Sequence, residues 1–178
     1  MNTDAANFHL RPPHAGDLGW IIHRHGVLYE QEYGWNMEFE VLVARVATDF
    51  FTAHDPVRER CWIAEREGAN GSEVIGSVFL MAHPQRPGVA KLRLLFVEPS
   101  ARGIGVGKSL VEACTHFAMT AGYHTITLWT NSVLATARAI YEKAGYRLLD
   151  TEAHHSFGKD LVSETWELSL SSSDSTPI

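Results

Sequence analysis

Arg102, Gly103, Gly105, Gly107 and Lys108 are the residues whose types and spacing most directly imply chemistry. They lie in the run Glu98-Pro99-Ser100-Ala101-Arg102-Gly103-Ile104-Gly105-Val106-Gly107-Lys108, between an apolar stretch ending at Val97 and a helical pattern starting near Val106. A strand, a glycine-rich turn and a helix N-terminus in that order suit an anion. Glycines lack a Cβ, so successive backbone N–H groups can close on a phosphate. The first-turn N–H groups of a helix have no internal acceptors, and the helix dipole favours negative charge there. The spacing narrows the ligand. A P-loop, G-x-x-x-x-G-K-[ST], is completed by Gly107-Lys108-Ser109 but needs a glycine where Arg102 stands. The dinucleotide pattern G-x-G-x-x-G fails because Lys108 or Leu110 occupies its last position. What fits is R-x-x-G-x-G, read as Arg102, Gly105 and Gly107.

The elements that must position this turn follow from periodicity. Phe8–Arg11 reads as a strand stopped by Pro12-Pro13, and Asp17 as the cap of a helix carrying Leu18, Ile21, Ile22 and Leu28 on one side. Tyr29 to Trp35 is an aromatic segment turning at Gly34, and Phe39, Leu42, Val43, Val46 and Phe50 form a second helical stripe. Strands are expected around Trp62–Glu65, at Val74–Ala82 with Gly76 at a bulge, and at Val89–Val97. A helix with Val106, Leu110, Cys114, Phe117 and Ala121 on one side stops at Gly122. Thr125–Thr130 is a strand, Ala135–Ala144 a helix closed by Gly145, and Tyr146–Leu149 and Glu164–Leu170 complete the strands. This order gives one mixed α/β sheet over residues 1–170, with the serine-rich 171–178 as a disordered tail.

Composition bounds the function. At 178 residues the chain suits one domain with a substantial core, and 45% apolar with 20% charged residues is globular usage. A net charge of −6 argues against a general nucleic-acid surface, so phosphate attraction must be local, at Arg102, Lys108, Arg138 and Lys143. Two cysteines, Cys61 and Cys114, make no disulfide framework. With no membrane-length apolar run and no signal-peptide pattern at the N-terminus, a cytoplasmic protein without membrane partners is expected.

The turn and its preceding strand end, Leu95-Phe96-Val97-Glu98-Pro99, resemble the L-x-V-x-P strand and pyrophosphate loop of the GNAT superfamily of N-acetyltransferases. Ala137-Arg138-Ala139-Ile140-Tyr141-Glu142-Lys143-Ala144-Gly145-Tyr146 is similar to the family's A-x-x-[LI]-Y-E-K-x-G-[FY] segment, although Leu134 stands where the family often has Asn. Tyr33-Gly34-Trp35, Cys61 to Glu65 and His154 to Leu161 further resemble the acetyltransferase domain fused behind MarR-type winged helices in bacterial proteins. The resemblance implies a central, splayed, mostly antiparallel sheet flanked by helices, with acetyl-CoA as cosubstrate; separately, ten histidines without tight ligand spacing lead to the expectation of no metal. It places Phe96, Val97, Arg102, Gly103, Gly105, Val106, Gly107, Lys108, Asn131, Arg138 and Tyr141 at the cofactor. The Val97 backbone would face the thioester oxygen, Asn131 the pantetheine arm, and the Tyr141 hydroxyl the sulfur.

Direct attack by a neutral amine needs a proton acceptor, a donor to the departing thiolate, and positioning. Tyr141 is the expected acid, and Glu98 or Glu32 the expected base. Tyr29, Tyr33 and Trp35 are expected to wall the acceptor site on one side, and a 154–160 loop with His154 and His155 to close the other. Histidines 23 and 25 point to different helix faces, which makes a poor metal pair. The reading is transfer of acetyl to a small-molecule amine. An acyl-CoA-sensing regulatory module and a P-loop phosphotransferase are the alternatives, and a homodimer is an open expectation.

Overall fold

The computed structural model describes residues 8–69 and 71–170, so the expected tail at 171–178 lies outside the described residues. The elements run β1 (Phe8–Arg11), α1 (Asp17–Tyr33), α2 (Met37–Ala53), β2 (Arg60–Gly68), β3 (Gly71–Ala82), β4 (Val89–Val97), a 3-10 turn (Pro99–Ala101), α3 (Val106–Thr120), β5 (Thr125–Asn131), α4 (Ala135–Lys143), β6 (Arg147–Ser156) and β7 (Lys159–Ser169). They form a seven-stranded sheet in the order β1-β2-β3-β4-β5-β7-β6. Among the described residues only β4 and β5 pair in parallel.

Apolar alternation along the strands builds one core on each face. Ala90, Leu92, Ile126, Leu128 and Trp166 pack with Val106, Leu110, Cys114 and Tyr141 of α3 and α4. Phe79, Ile63 and Cys61 pack on the opposite face with Ile21, Phe39, Val43 and Phe50 of α1 and α2. The helical stripes thus settle which face each helix covers.

Three local features position the site. The β4–β5 pairing runs from Val89–Thr125 to Leu92–Leu128 and then ceases, so the sheet splays from there. Just past that point Leu94 adopts φ +51, and the β3–β4 register shifts between Ser77 and Phe79. Gly76 lies where the β2–β3 register also slips. A Cβ on Gly76 would stand 2.8 Å from the Phe96 carbonyl oxygen, so glycine is required for β4 to approach. The bulge expectation there holds.

Four expectations change. Asp17 does not cap α1, whose N-cap is Gly16 with no side-chain bond. Its carboxylate instead accepts from the Arg11 guanidinium at 2.7 and 3.1 Å and the His14 amide at 2.6 Å. Tyr29 and Tyr33 are not in a turn but in the last turns of α1, which ends at Gly34 (φ 67) with Gly34 and Trp35 N–H groups bonded back to Glu30 and Tyr29. The last strand is longer than its alternating half, beginning at Lys159. Finally, residues 154–160 are not a loop. His154 and His155 belong to β6, and Phe157-Gly158 alone make a tight hairpin turn, both with positive φ (58 and 74).

Candidate functional site

The glycines of the turn perform different tasks. Gly103 (φ 79) and Gly105 (φ 92) take backbone conformations that L side chains rarely adopt, with open space where a Cβ would be. Gly105 is the N-cap of α3 and among the described residues no side chain caps that helix, so its first-turn N–H groups are available to a ligand. Gly107 is a contact glycine: a Cβ there would meet Ile140 Cδ1 at 2.6 Å, so its absence lets α4 lie against α3.

This turn borders a cleft of about 1010 Å³. One wall is Leu28, Tyr29, Glu32 and Tyr33 from α1, and the floor is Leu95, Phe96 and Val97 at the splayed end of β4. The opposite walls come from Arg102 to Lys108, from Val111, Thr115 and Met119 of α3, and from Thr136, Ala137, Ile140 and Lys143 of α4. Beyond Leu92 the edge of β4 has no β5 partner, while its other edge stays bonded to β3 through Phe96–Ser77 and Val97–Gly76.

The cleft therefore brings together Tyr29, Glu32, Tyr33, Phe96, Val97, Arg102, Gly103, Gly105, Val106, Gly107 and Lys108 from the sequence-expected set. Glu98, Asn131, Arg138, Tyr141, Trp35, His154 and His155 are not in its wall. Each has a different engagement. Glu98 receives two hydrogen bonds from Arg24 of α1, at 2.5 and 2.9 Å, which occupy both carboxylate oxygens. Arg138 donates to Glu164 at 2.9 Å and lies over the Trp166 ring, so Lys143 is the α4 cation at the cleft. Asn131 is buried, and its Oδ1 lies 2.9 Å from His154 Nε2, whose Nδ1 reaches Ser156 at 2.9 Å. His155 pairs with Asp160 at the surface. Trp35 is 3% exposed and packs against Tyr29, Phe39 and Phe157, so it is core rather than acceptor wall.

Tyr141 is buried in the α3–α4 core. Burial pushes its phenol pKa well up, with Tyr29 and Cys114 adding to the shift, so it stays protonated at neutral pH. Burial likewise pushes up the Cys114 thiol, which leaves that cysteine inert as a nucleophile. At the cleft mouth Arg102 is paired with Glu32 at 2.8 Å, and Lys108 lies 3.6 Å from Glu112. Among the described residues no cluster of three or more His, Cys, Asp or Glu is placed to hold a metal ion.

Sequence reasoning missed Val111, Thr115 and Met119, which line the cleft four residues apart along α3. Their spacing was a usable signal, hidden beside the more apolar stripe through Val106, Leu110 and Cys114 that faces the sheet.

Comparison with known proteins agrees with this architecture. An N-acetylaspartate synthetase from Xenopus tropicalis is 32% identical over 94 residues, 53% of this chain and 33% of that protein. A mycothiol acetyltransferase from Paenarthrobacter aurescens (strain TC1) is 26% identical over 152 residues, 84% of this chain and 45% of that protein. The chain thus spans between about a third and just under half of the length of these curated relatives. Among solved structures, yncA from Salmonella typhimurium with its cofactor acetyl-CoA superposes with a TM-score of 0.71 at 16% identity, covering 96% of this chain and 98% of that one. Spermidine N-acetyltransferase from Vibrio cholerae, in complex with CoA and spermine, gives 0.67 at 19% identity over 93% and 96%. These structures share the fold. The sequence model of the acetyltransferase (GNAT) family matches residues 27–146, from the last turns of α1 through the glycine turn to Tyr146. The chain belongs to the acetyltransferase (GNAT) family.

Proposed function

We propose that the protein is an acetyl-CoA-dependent N-acetyltransferase acting on the amine of a small molecule. The observation that carries this reading is the uncapped N-terminus of α3, preceded by two positive-φ glycines and flanked by Arg102 and Lys108, at one side of a large cleft. A pyrophosphate fits there because the cradle is open where side chains would otherwise stand. When bound, acetyl-CoA supplies an activated thioester, so no covalent step on the protein is needed.

The chain's own residues then orient and move protons. The unpartnered edge of β4 near Val97 offers backbone N–H groups to a developing oxyanion. In this reading Tyr141 is the proton donor: its ring stands behind the cleft wall, and its phenol, which bears on Tyr29 of that wall, is kept protonated by burial. Glu32 and Glu98 remain the candidate bases, and each would first have to release a guanidinium, Arg102 or Arg24. Glu32 has the simpler route, because Arg102 belongs to the phosphate-binding turn and can exchange a carboxylate for a phosphate. Tyr29 and Tyr33 wall the acceptor side.

Calorimetric titration with acetyl-CoA and with ATP, followed by thiol release with a panel of amines, tests this reading. Binding of acetyl-CoA alone and amine-dependent thiol release are expected. Binding without release for any amine would instead indicate an acyl-CoA sensor, and preference for ATP would overturn the assignment of the turn.

A further inference from the structure

On the sheet face covered by α1 and α2 there is a pair of cations that the site above does not use. Lys91 and Arg93 alternate along β4 with Ala90 and Leu92, which pack in the opposite core, so both basic side chains stand on the α1–α2 face. Both are half-buried, yet among the described residues neither has an ion-pair or hydrogen-bond partner. Burial lowers the pKa of each, and Arg93 lowers that of Lys91 further. Asp49 of α2 bears on Arg93 without forming an ion pair. Two like charges, desolvated side by side and unpaired, cost stability, which is the pattern of groups waiting for a ligand. Their position strengthens the point. Arg93 and Trp129 are the first residues beyond the last β4–β5 pair, Leu92–Leu128, and both lie on the face opposite those two core leucines. Arg93 therefore stands where the sheet opens, two residues before the cleft-lining Leu95 and itself behind the cleft wall, with half-exposed Trp129 (49%) at the matching position of β5.

We infer that Arg93, assisted by Lys91, binds a carboxylate carried by the acceptor, and that the acceptor is an amino-acid-like amine with an apolar portion against Trp129. A guanidinium offers a planar two-donor fork that suits a carboxylate, and its affinity is enhanced where the side chain is half-buried. In a protein of net charge −6, such a local positive site also selects against polyamines. This inference rests on the acetyltransferase reading and names its substrate class.

The test compares matched amines with and without the carboxylate, such as L-phenylalanine with phenethylamine and L-leucine with isoamylamine, in wild type, Arg93→Gln and Arg93→Lys. The carboxylate-bearing amine should have the higher kcat/KM by about ten- to a hundredfold, the usual worth of a charged hydrogen bond. Arg93→Gln should collapse that ratio towards one with acetyl-CoA affinity unchanged, and Arg93→Lys should restore part of it. A preference for the decarboxylated amines or spermidine, or an unchanged ratio in Arg93→Gln, would overturn the inference. A binding arm stands apart from turnover: N-acetyl-L-phenylalanine, titrated by calorimetry, should bind wild type and not Arg93→Gln. If no amine releases thiol, the enzymatic reading fails while this arm still decides the carboxylate site, and no binding to wild type overturns it. The melting temperature should stay level or rise in Arg93→Gln, because an unpaired desolvated charge is removed. A fall of many degrees would mark Arg93 as a structural partner of Asp49.

Discussion

The proposed mechanism leans, at the scale of single residues, on Gly105 and Tyr141. An aspartate at position 105 would take φ 92 with strain and place a negative charge at the open end of α3. Gly105→Asp is expected to weaken acetyl-CoA binding by on the order of 100-fold, about 2.7 kcal/mol, with the fold retained. Calorimetry beside circular dichroism checks both halves. Tyr141→Phe keeps the buried ring and removes only the hydroxyl. Acetyl-CoA affinity should hold while turnover falls by about 100-fold, the lower end of general-acid contributions because a thiolate is a fair leaving group. Single-turnover kinetics, with chemistry isolated from product release, measures it. An unaltered chemical step would remove Tyr141 as the donor.

Elements decide which aromatic and charged groups reach the cleft. The aromatic run 29–35 was legible as a feature, but its division was not. Tyr29 and Tyr33 lie four apart in the last turns of α1 and face the cleft, whereas Trp35 lies past Gly34 and turns into the core against Phe157. That separation depends on a left-handed helix stop and on packing against a hairpin more than a hundred residues away, which no local pattern encodes. Trp35→Ala should therefore cost about 3–5 kcal/mol in urea unfolding, with the acceptor kinetics of the folded fraction unchanged. The glycine turn was legible because its geometry is local: glycines at positive φ and a helix start within one short segment. The engagements of Glu98 with Arg24 and of Arg138 with Glu164 were not, since they join distant elements. The Glu32–Arg102 pair likewise ties α1 to the phosphate turn. Glu32→Gln frees that arginine, so acetyl-CoA affinity should rise several-fold, most at low salt. A decrease in a calorimetric titration would show that Glu32 orders the turn rather than competing for it.

For the whole molecule, the buried His25 couples acidity to folding. Its Nδ1 lies 2.7 Å from the Ile21 carbonyl, and Nε2, beside Phe96 and Tyr29, has no partner among the described residues. Burial lowers its pKa from 6.5 to about 4. Between those values the unfolded chain takes up a proton that the folded chain refuses, so stability present above pH 6.5 is lost as pH falls towards 4. The loss attributable to this group is about 3 kcal/mol. Urea unfolding at several pH values should show it, and His25→Gln should flatten that part of the slope. An equal slope in the variant would assign the acid sensitivity to other groups.

The hairpin turn at Phe157 has a mechanical consequence. The half-sheet β1–β4 and the half-sheet β5–β7–β6 share a short seam, Val89–Leu92 against Thr125–Leu128. They are also fastened where the Phe157 carbonyl accepts the Asn36 amide at 3.0 Å and the Phe157 amide donates to Glu38 at 3.0 Å. A seam alone would make a pair of jaws, free to swing about one hinge. Seam and fastener together make a buckled frame, in which rotating one half against the other strains the Asn36–Phe157 backbone bond and the bond to the Glu38 carboxylate. The opening between β4 and β5 is thereby braced from both ends, and widening it would work against the seam and the fastener together.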